Sequence, residues 1–178
     1  WWENGLTGAE RQFARRYLAG RHPGGGMSAM TWLDYVAMVE DTTVRSHLLE
    51  YREPAADGGP GRLAAFVLVD VLSDGLSLVY SAYDPSEGRR SLGRFAVLDH
   101  VRQARTARLP YVYLGYWVPG SPRMAYKAAF QPLEVLRAGV WAPMTEGERS
   151  AAAPPLLARH DPATDLPLKL PLRRTFGS

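Results

Sequence analysis

Residues suited to chemistry concentrate in two stretches of this 178-residue chain. In VYSAYDPSEGRRSLGRFAVLDHV, which starts at Val79, a strand-like run passes through a basic, glycine-containing turn into a helical pattern. Backbone N–H groups at a helix start, with arginines beside them, make a natural anion site. Arg90, Ser91, Gly93 and Arg94 are therefore candidates for holding a phosphate-bearing ligand. The same residues would equally serve a plain helix start, with Ser91 as its N-cap and the arginines solvated. In LPYVYLGYWVPGSPRMAYKAAFQPLE, residues 109–134, Tyr111, Tyr113, Tyr116, Trp117 and Tyr126 stand beside Arg123 and Lys127. Aromatics interleaved with cations suit base stacking and cation–π contact, and alternate tyrosines on a strand also suit ordinary core. Tyr113 and Tyr116 face opposite ways on a regular strand, so a shared face needs a bulge at Gly115.

These stretches must be positioned by a sheet. Residues 44–52, 62–73 and 76–83 are rich in β-branched and aromatic side chains and predict three strands. Asp74-Gly75 predicts a tight hairpin between the second and third, with φ above zero at both positions. The nearly continuous apolar run FVLVDVL suits a central strand covered on both faces. Beyond Asp84-Pro85 an amphipathic helix is expected, Phe95, Leu98, Val101, Ala104 and Leu109 forming its apolar face and Arg102, Arg105 and Arg108 its basic one. A strand over 111–117, a short helix around Met124–Phe130 and a last apolar segment, LEVLRAGVW, follow. Upstream, Thr7 with Glu10 resembles a capping box and opens one helix, and Thr31 opens a second in TWLDYVAMVED. The order suits a mixed α/β sheet flanked by helices, in one domain over 1–142. From Pro143 onward no period persists, which predicts an extended or mobile Pro-rich tail over 143–178.

Composition bounds the function. Cysteine is absent, so this chain has no disulfide framework, thiolate metal site or catalytic thiol. The net charge is +3, and every basic residue except Lys127 and Lys169 is Arg; a local basic patch for nucleic acid is compatible with this balance. Neither a membrane span nor a secretory leader is evident, which makes a soluble cytoplasmic protein the expectation. The chain opens on Trp1 rather than Met and reads as part of something longer.

The turn Arg90-Ser91-Leu92-Gly93-Arg94-Phe95 resembles the Q/R-x-x-G-x-G/A turn with which GNAT N-acetyltransferases cradle a pyrophosphate, except that bulky Phe95 replaces the small residue. RYLAGRHPGGGMSAMTWLDYVAMVEDT, SLVYSAYDPSEGRRSLGRFAVLDHV and the 109–134 stretch, in register over residues 16–134, together resemble the bacterial aspartate/glutamate leucyltransferases, relatives of eukaryotic arginyl-tRNA–protein transferase. The resemblance implies a GNAT-like fold with a mixed, mostly antiparallel sheet. It also implies transfer of an aminoacyl group, leucyl in preference to arginyl, from tRNA to proteins beginning with Asp or Glu, without a metal or a cofactor beyond the aminoacyl-tRNA. The resemblance also implies an upstream cysteine-containing module, which this chain is expected to follow rather than include, and Ser121 stands where many relatives show Cys.

On this reading an acidic N-terminal side chain needs a cationic receptor, for which Arg21, His22, Arg90 and Lys127 are candidates. Asp84 would orient the amine or take its proton, or else form an Asx-type turn before Pro85. Tyr80 and Tyr116 would hydrogen-bond around the ester. Ser91, Gly93, Arg94, Tyr113, Arg102 and Arg105 would hold the tRNA and its aminoacyl end. Two alternatives stand beside it: a GNAT acyltransferase using an acyl-CoA, and a non-catalytic module binding acidic N-termini or tRNA.

Overall fold

A computed structural model describes residues 43–56, 58–59, 61–121, 124–150 and 166–172. The two helices expected upstream, with Arg21 and His22, lie outside the described residues. Three strands open the described part: β1 (Ser46–Arg52), β2 (Leu63–Val71) and β3 (Gly75–Tyr83). A 3-10 helix at Pro85–Arg90 leads into α1 (Leu92–Thr106), followed by β4 (Tyr111–Trp117) and a second 3-10 turn at Ala125–Ala129. β5 (Glu134–Arg137), β6 (Val140–Pro143), the short α2 (Glu146–Ser150) and β7 (Leu166–Pro171) complete it.

The strands form one seven-stranded sheet in the order β1-β2-β3-β4-β7-β5-β6. β1 and β2 run antiparallel, and the three residues linking β2 to β3 allow no parallel crossover. β3 and β4 pair in parallel, while β4, β7, β5 and β6 are successively antiparallel, so the sheet is mixed and mostly antiparallel. The described residues divide into two compact units, one holding those up to Leu72 with Val79–Ala96, the other Ser73–Leu78 with those from Val97 onward.

β2 behaves as its composition demands: Leu63 through Val69 are all buried, as a strand covered on both faces requires. Three expectations are corrected. First, neither Asp74 nor Gly75 adopts a positive φ. Gly75 is needed for another reason, because a Cβ there would lie 2.7 Å from the Tyr111 carbonyl oxygen and 2.9 Å from the Tyr113 ring. The two-residue hairpin with both φ positive is instead Ala138-Gly139, between Arg137 and Val140, and it divides LEVLRAGVW into β5 and β6.

Second, α1 buries Leu92, Ala96, Val97, His100 and Ala104, while Phe95 and Leu98 are 51% and 58% exposed. The buried set repeats every four residues from Leu92, so the apolar stripe runs along Leu92, Ala96, His100 and Ala104, and the larger Phe95 and Leu98 lie beside it. Third, the tail is not wholly extended or mobile. Residues 166–171 insert between β4 and β5 as β7, burying Leu168, Lys169 and Leu170. Strand β7 thus supplies part of the core, and the alternation in LPLKLP, hidden among prolines, was its sequence signal.

Candidate functional site

In the first unit, the end of β3 carries Asp84 as the N-cap of the 3-10 helix. Its Oδ1 accepts from the Ser86 backbone N–H at 3.0 Å and the Ser86 hydroxyl at 2.6 Å, and its Oδ2 from Arg62 at 2.7 Å. The Asx-type cap, one of the two roles expected of Asp84, is present. Arg62 also pairs with Glu53 and Glu87, and Arg90 donates to the same two carboxylates. Hydrogen bonds from Arg62 and then Arg90 hold the Glu53 carboxyl below its ordinary value, and the Glu53 and Glu87 carboxylates hold the Arg62 guanidinium above its own. Arg90, expected to receive an acidic peptide, is thus engaged by this chain's own acids. Arg62 and Glu53 were not anticipated, since a 3-10 turn tied to a loop by ion pairs leaves no periodic trace in sequence.

Ser91 stands between the 3-10 helix and α1 with φ +51°, and its carbonyl accepts from Arg94 and Phe95 at 2.9 and 3.1 Å, opening the helix. Gly93 is half-buried and Arg94 exposed in that first turn. The Phe95 ring meets Tyr51 edge to face, with centroids 5.4 Å apart. Tyr80 is buried in this unit with its ring beside Phe66, which makes it a core residue. On the last turns of α1, in the second unit, Arg102 and Arg105 are exposed, and Arg102 pairs with Asp99 one turn back at 2.8 Å.

The second unit contains the bulge that the tyrosines required. Against β7 the register of β4 shifts between Tyr113 and Gly115, and Gly115 has φ +70°. Val112, Leu114 and then Trp117 are buried, so the parity switch leaves Tyr111, Tyr113 and Tyr116 on the opposite face, with Tyr116 61% exposed. The parallel ladder to β3 covers Tyr111–Tyr113. Just beyond it the carbonyls of Leu114 and Tyr116 each accept a hydrogen bond from Lys127 Nζ at 2.8 Å. Burial pushes the Lys127 ammonium down to about 8.

The Tyr113 hydroxyl donates to Asp74 at 2.8 Å, and burial, then this carboxylate, push the phenol upward. Its ring lies 6.0 Å from Tyr111 and 5.8 Å from Trp141. Lys169 of β7 sits 4.0 Å from the centre of the Tyr111 ring and 4.6 Å from that of Trp141, and pairs with Glu134 at 3.1 Å. The cation–π contact expected for this strand therefore forms with Lys169, a residue of the supposed tail. Thr145 and Glu148 make a capping box for α2, and Glu148 also binds Arg137 of β5.

The fold defines the class first. The chain is similar to the ribosomal-protein-S18-alanine N-acetyltransferase from Escherichia coli, with TM-score 0.53 and 16% identity over 94% of this chain and 90% of that one, which identifies an N-acetyltransferase-like α/β fold. Residues 10–137 match the family model "Arginine-tRNA-protein transferase, C terminus", and the chain belongs to that family. Among its relatives, the aspartate/glutamate leucyltransferase of Caulobacter vibrioides is 61% identical over 157 residues, 88% of this chain and 56% of the relative. That of Phenylobacterium zucineum is 65% identical over 131 residues, 74% of this chain and 51% of the relative. That of Dinoroseobacter shibae is 49% identical over 174 residues, 92% and 61% respectively. The chain thus spans about half the length of these relatives.

Proposed function

We propose that the chain forms the transfer domain of an enzyme that moves an aminoacyl group, preferentially leucyl, from aminoacyl-tRNA to the α-amine of proteins beginning with Asp or Glu. Such transfer would mark those proteins for N-degron degradation in the cytoplasm. The observation that carries the reading is the 61% identity to a leucyltransferase across 88% of this chain. No described helix is long and apolar enough to cross a membrane.

The chemistry asks little of the protein. The ester is already activated, so the site must align the amine, accept its proton and stabilise the developing oxyanion, with aminoacyl-tRNA as co-substrate and no further cofactor. Tyr116, exposed at the β4 bulge, would hydrogen-bond around the ester. The tRNA phosphates would meet Arg94, Arg102 and Arg105, with Ser91 and Gly93 at the adjoining helix start. Because Arg90 already pairs with Glu53 and Glu87, Arg21 and His22 are the preferred receptors for the acidic side chain.

The test incubates leucyl-tRNA with peptides beginning in Asp, Glu or Ala, using both this chain and a protein of its relatives' full length. Label is expected on the Asp and Glu peptides. Equal label on the Ala peptide, or none on any peptide with the full-length protein, overturns the reading.

A further inference from the structure

We infer that Lys127 Nζ is the proton acceptor for the attacking α-amine, held at the bulged end of β4 by the carbonyls of Leu114 and Tyr116. This rests on the transfer reaction proposed above. An ammonium has three N–H donors, and two are committed to carbonyl oxygens at 2.8 Å on either side of Gly115. A neutral amine has two N–H groups and one lone pair. Lys127 can therefore lose a proton while keeping both hydrogen bonds, and the position that changes is the one not directed at β4. A lysine that merely stapled the strand would gain nothing from this, whereas a base needs a fixed nitrogen whose anchoring survives the change of charge.

The electrostatic setting agrees. Among the described residues, the ionisable side chains on β4 and on the Ala125–Ala129 turn, besides Lys127, are Tyr111, Tyr113, Tyr116 and Tyr126; neither element carries a carboxylate to stabilise an ammonium. The α2 helix packs on that turn through Arg149, which donates to the Ala128 and Phe130 carbonyls, and it also carries Glu146 and Glu148, the latter paired with Arg137. Desolvation alone accounts for the ammonium's descent to about 8, close to a working pH. Tyr116, whose carbonyl holds Nζ, is itself 61% exposed, so this end of β4 is open to substrate.

In the step, the α-amine lone pair forms a C–N bond to the ester carbonyl carbon. The ester C–O bond breaks, and its electron pair leaves on the ribose oxygen. The proton released by the nitrogen passes to Lys127 Nζ, and the resulting ammonium returns it to the ribose oxygen, so the lysine ends unchanged.

The experiment compares wild type with Lys127→Arg and Lys127→Met in leucyl transfer to an Asp peptide, with kcat and KM followed from pH 6 to 9.5. Because Lys127 and Lys169 are the chain's two lysines, NMR of labelled lysine side chains resolves Lys127 as the signal lost in the Arg variant. Wild-type kcat should rise with pH, reach half its maximum near 8 where the NMR midpoint falls, and level off about one pH unit higher. Lys127→Arg keeps a cation and donors for both carbonyls but cannot deprotonate in this range. It should remain folded, keep KM within about threefold, lose roughly 10²-fold or more in kcat and lose the inflection. Three results overturn the inference: unchanged kcat in both variants, an NMR midpoint that stays near 10, or a loss confined to KM, which would make Lys127 a receptor for the acidic side chain. If the wild-type protein transfers nothing at either length, the functional reading fails and takes the inference with it; transfer that survives both substitutions sinks the inference alone.

Discussion

Replacing Leu168 by Ala asks directly whether the segment after residue 165 belongs to the core. Leu168 is 1% exposed, sits in β7 between Gly115 of β4 and Val135 of β5, and carries a side chain that β4 and β5 cannot replace by closing up. Truncating a leucine in such a position costs about 2.7–5.0 kcal/mol, the lost transfer free energy plus the residual cavity. For a chain of this size each kcal/mol shifts the melting temperature by roughly 2–4 °C, so a fall of about 5–20 °C is expected. Urea unfolding followed by tryptophan fluorescence should show the midpoint falling by about 1–3 M with little change in slope. Val140→Ala is the control, since Val140 is 66% exposed and should change stability by less than about 0.5 kcal/mol. If both variants fall within about 0.5 kcal/mol of wild type, β7 does not contribute to the folded core and the sheet order given above is wrong.

Ala138 holds φ +46° in the β5–β6 hairpin, a conformation that asparagine tolerates better; Ala138→Asn should stabilise the chain by about 0.5–1 kcal/mol in the same urea assay, and destabilisation would contradict the turn. Glu148 is held down to about 2, chiefly by Arg137, so its contribution is present above the unfolded carboxylate range near 4.3 and is lost as pH falls towards 2. Glu148→Gln should therefore cost about 1 kcal/mol at pH 7, with the gap to wild type closing in acid; a gap independent of pH would mean that the charge is irrelevant. Replacing Arg102 and Arg105 together by Ala should weaken tRNA binding and reduce the magnitude of the slope of log affinity against log salt by about 1–2. An unchanged slope would remove that face of α1 from the tRNA contact.

Strands were legible from their neighbours in sequence, whereas the turn at Ala138-Gly139 and the buried face of α1 were not. The alternation and β-branching of 44–52, 62–73 and 76–83 announced β1 to β3, and the apolar continuity of β2 announced its burial on both faces. Even the bulge at Gly115 followed from asking how Tyr113 and Tyr116 could share a face. The three family-like segments carried the fold class with them. The functional roles drawn from those segments were less secure, because a residue type suited to a role says nothing of what already occupies it. Arg90 and Asp84 have the chemistry asked of them, yet Glu53, Glu87, Arg62 and Ser86, brought in from the preceding loop and turn, already engage them.

By itself, then, the sequence determined most of the strands, through short-range sterics and periodicity, and the family, through long motifs in register; it posed the β4 bulge as the condition for Tyr113 and Tyr116 to share a face. Tertiary structure alone decided that LPLKLP completes the sheet and that Gly75 answers to the backbone of β4 rather than to a turn. It also decided that Lys127 meets two carbonyls on either side of Gly115. Each of these depends on a contact between segments distant in sequence, where the energy comes from desolvation and close approach; the alternation in LPLKLP signals a strand, but none of the three pairings is fixed by one segment alone.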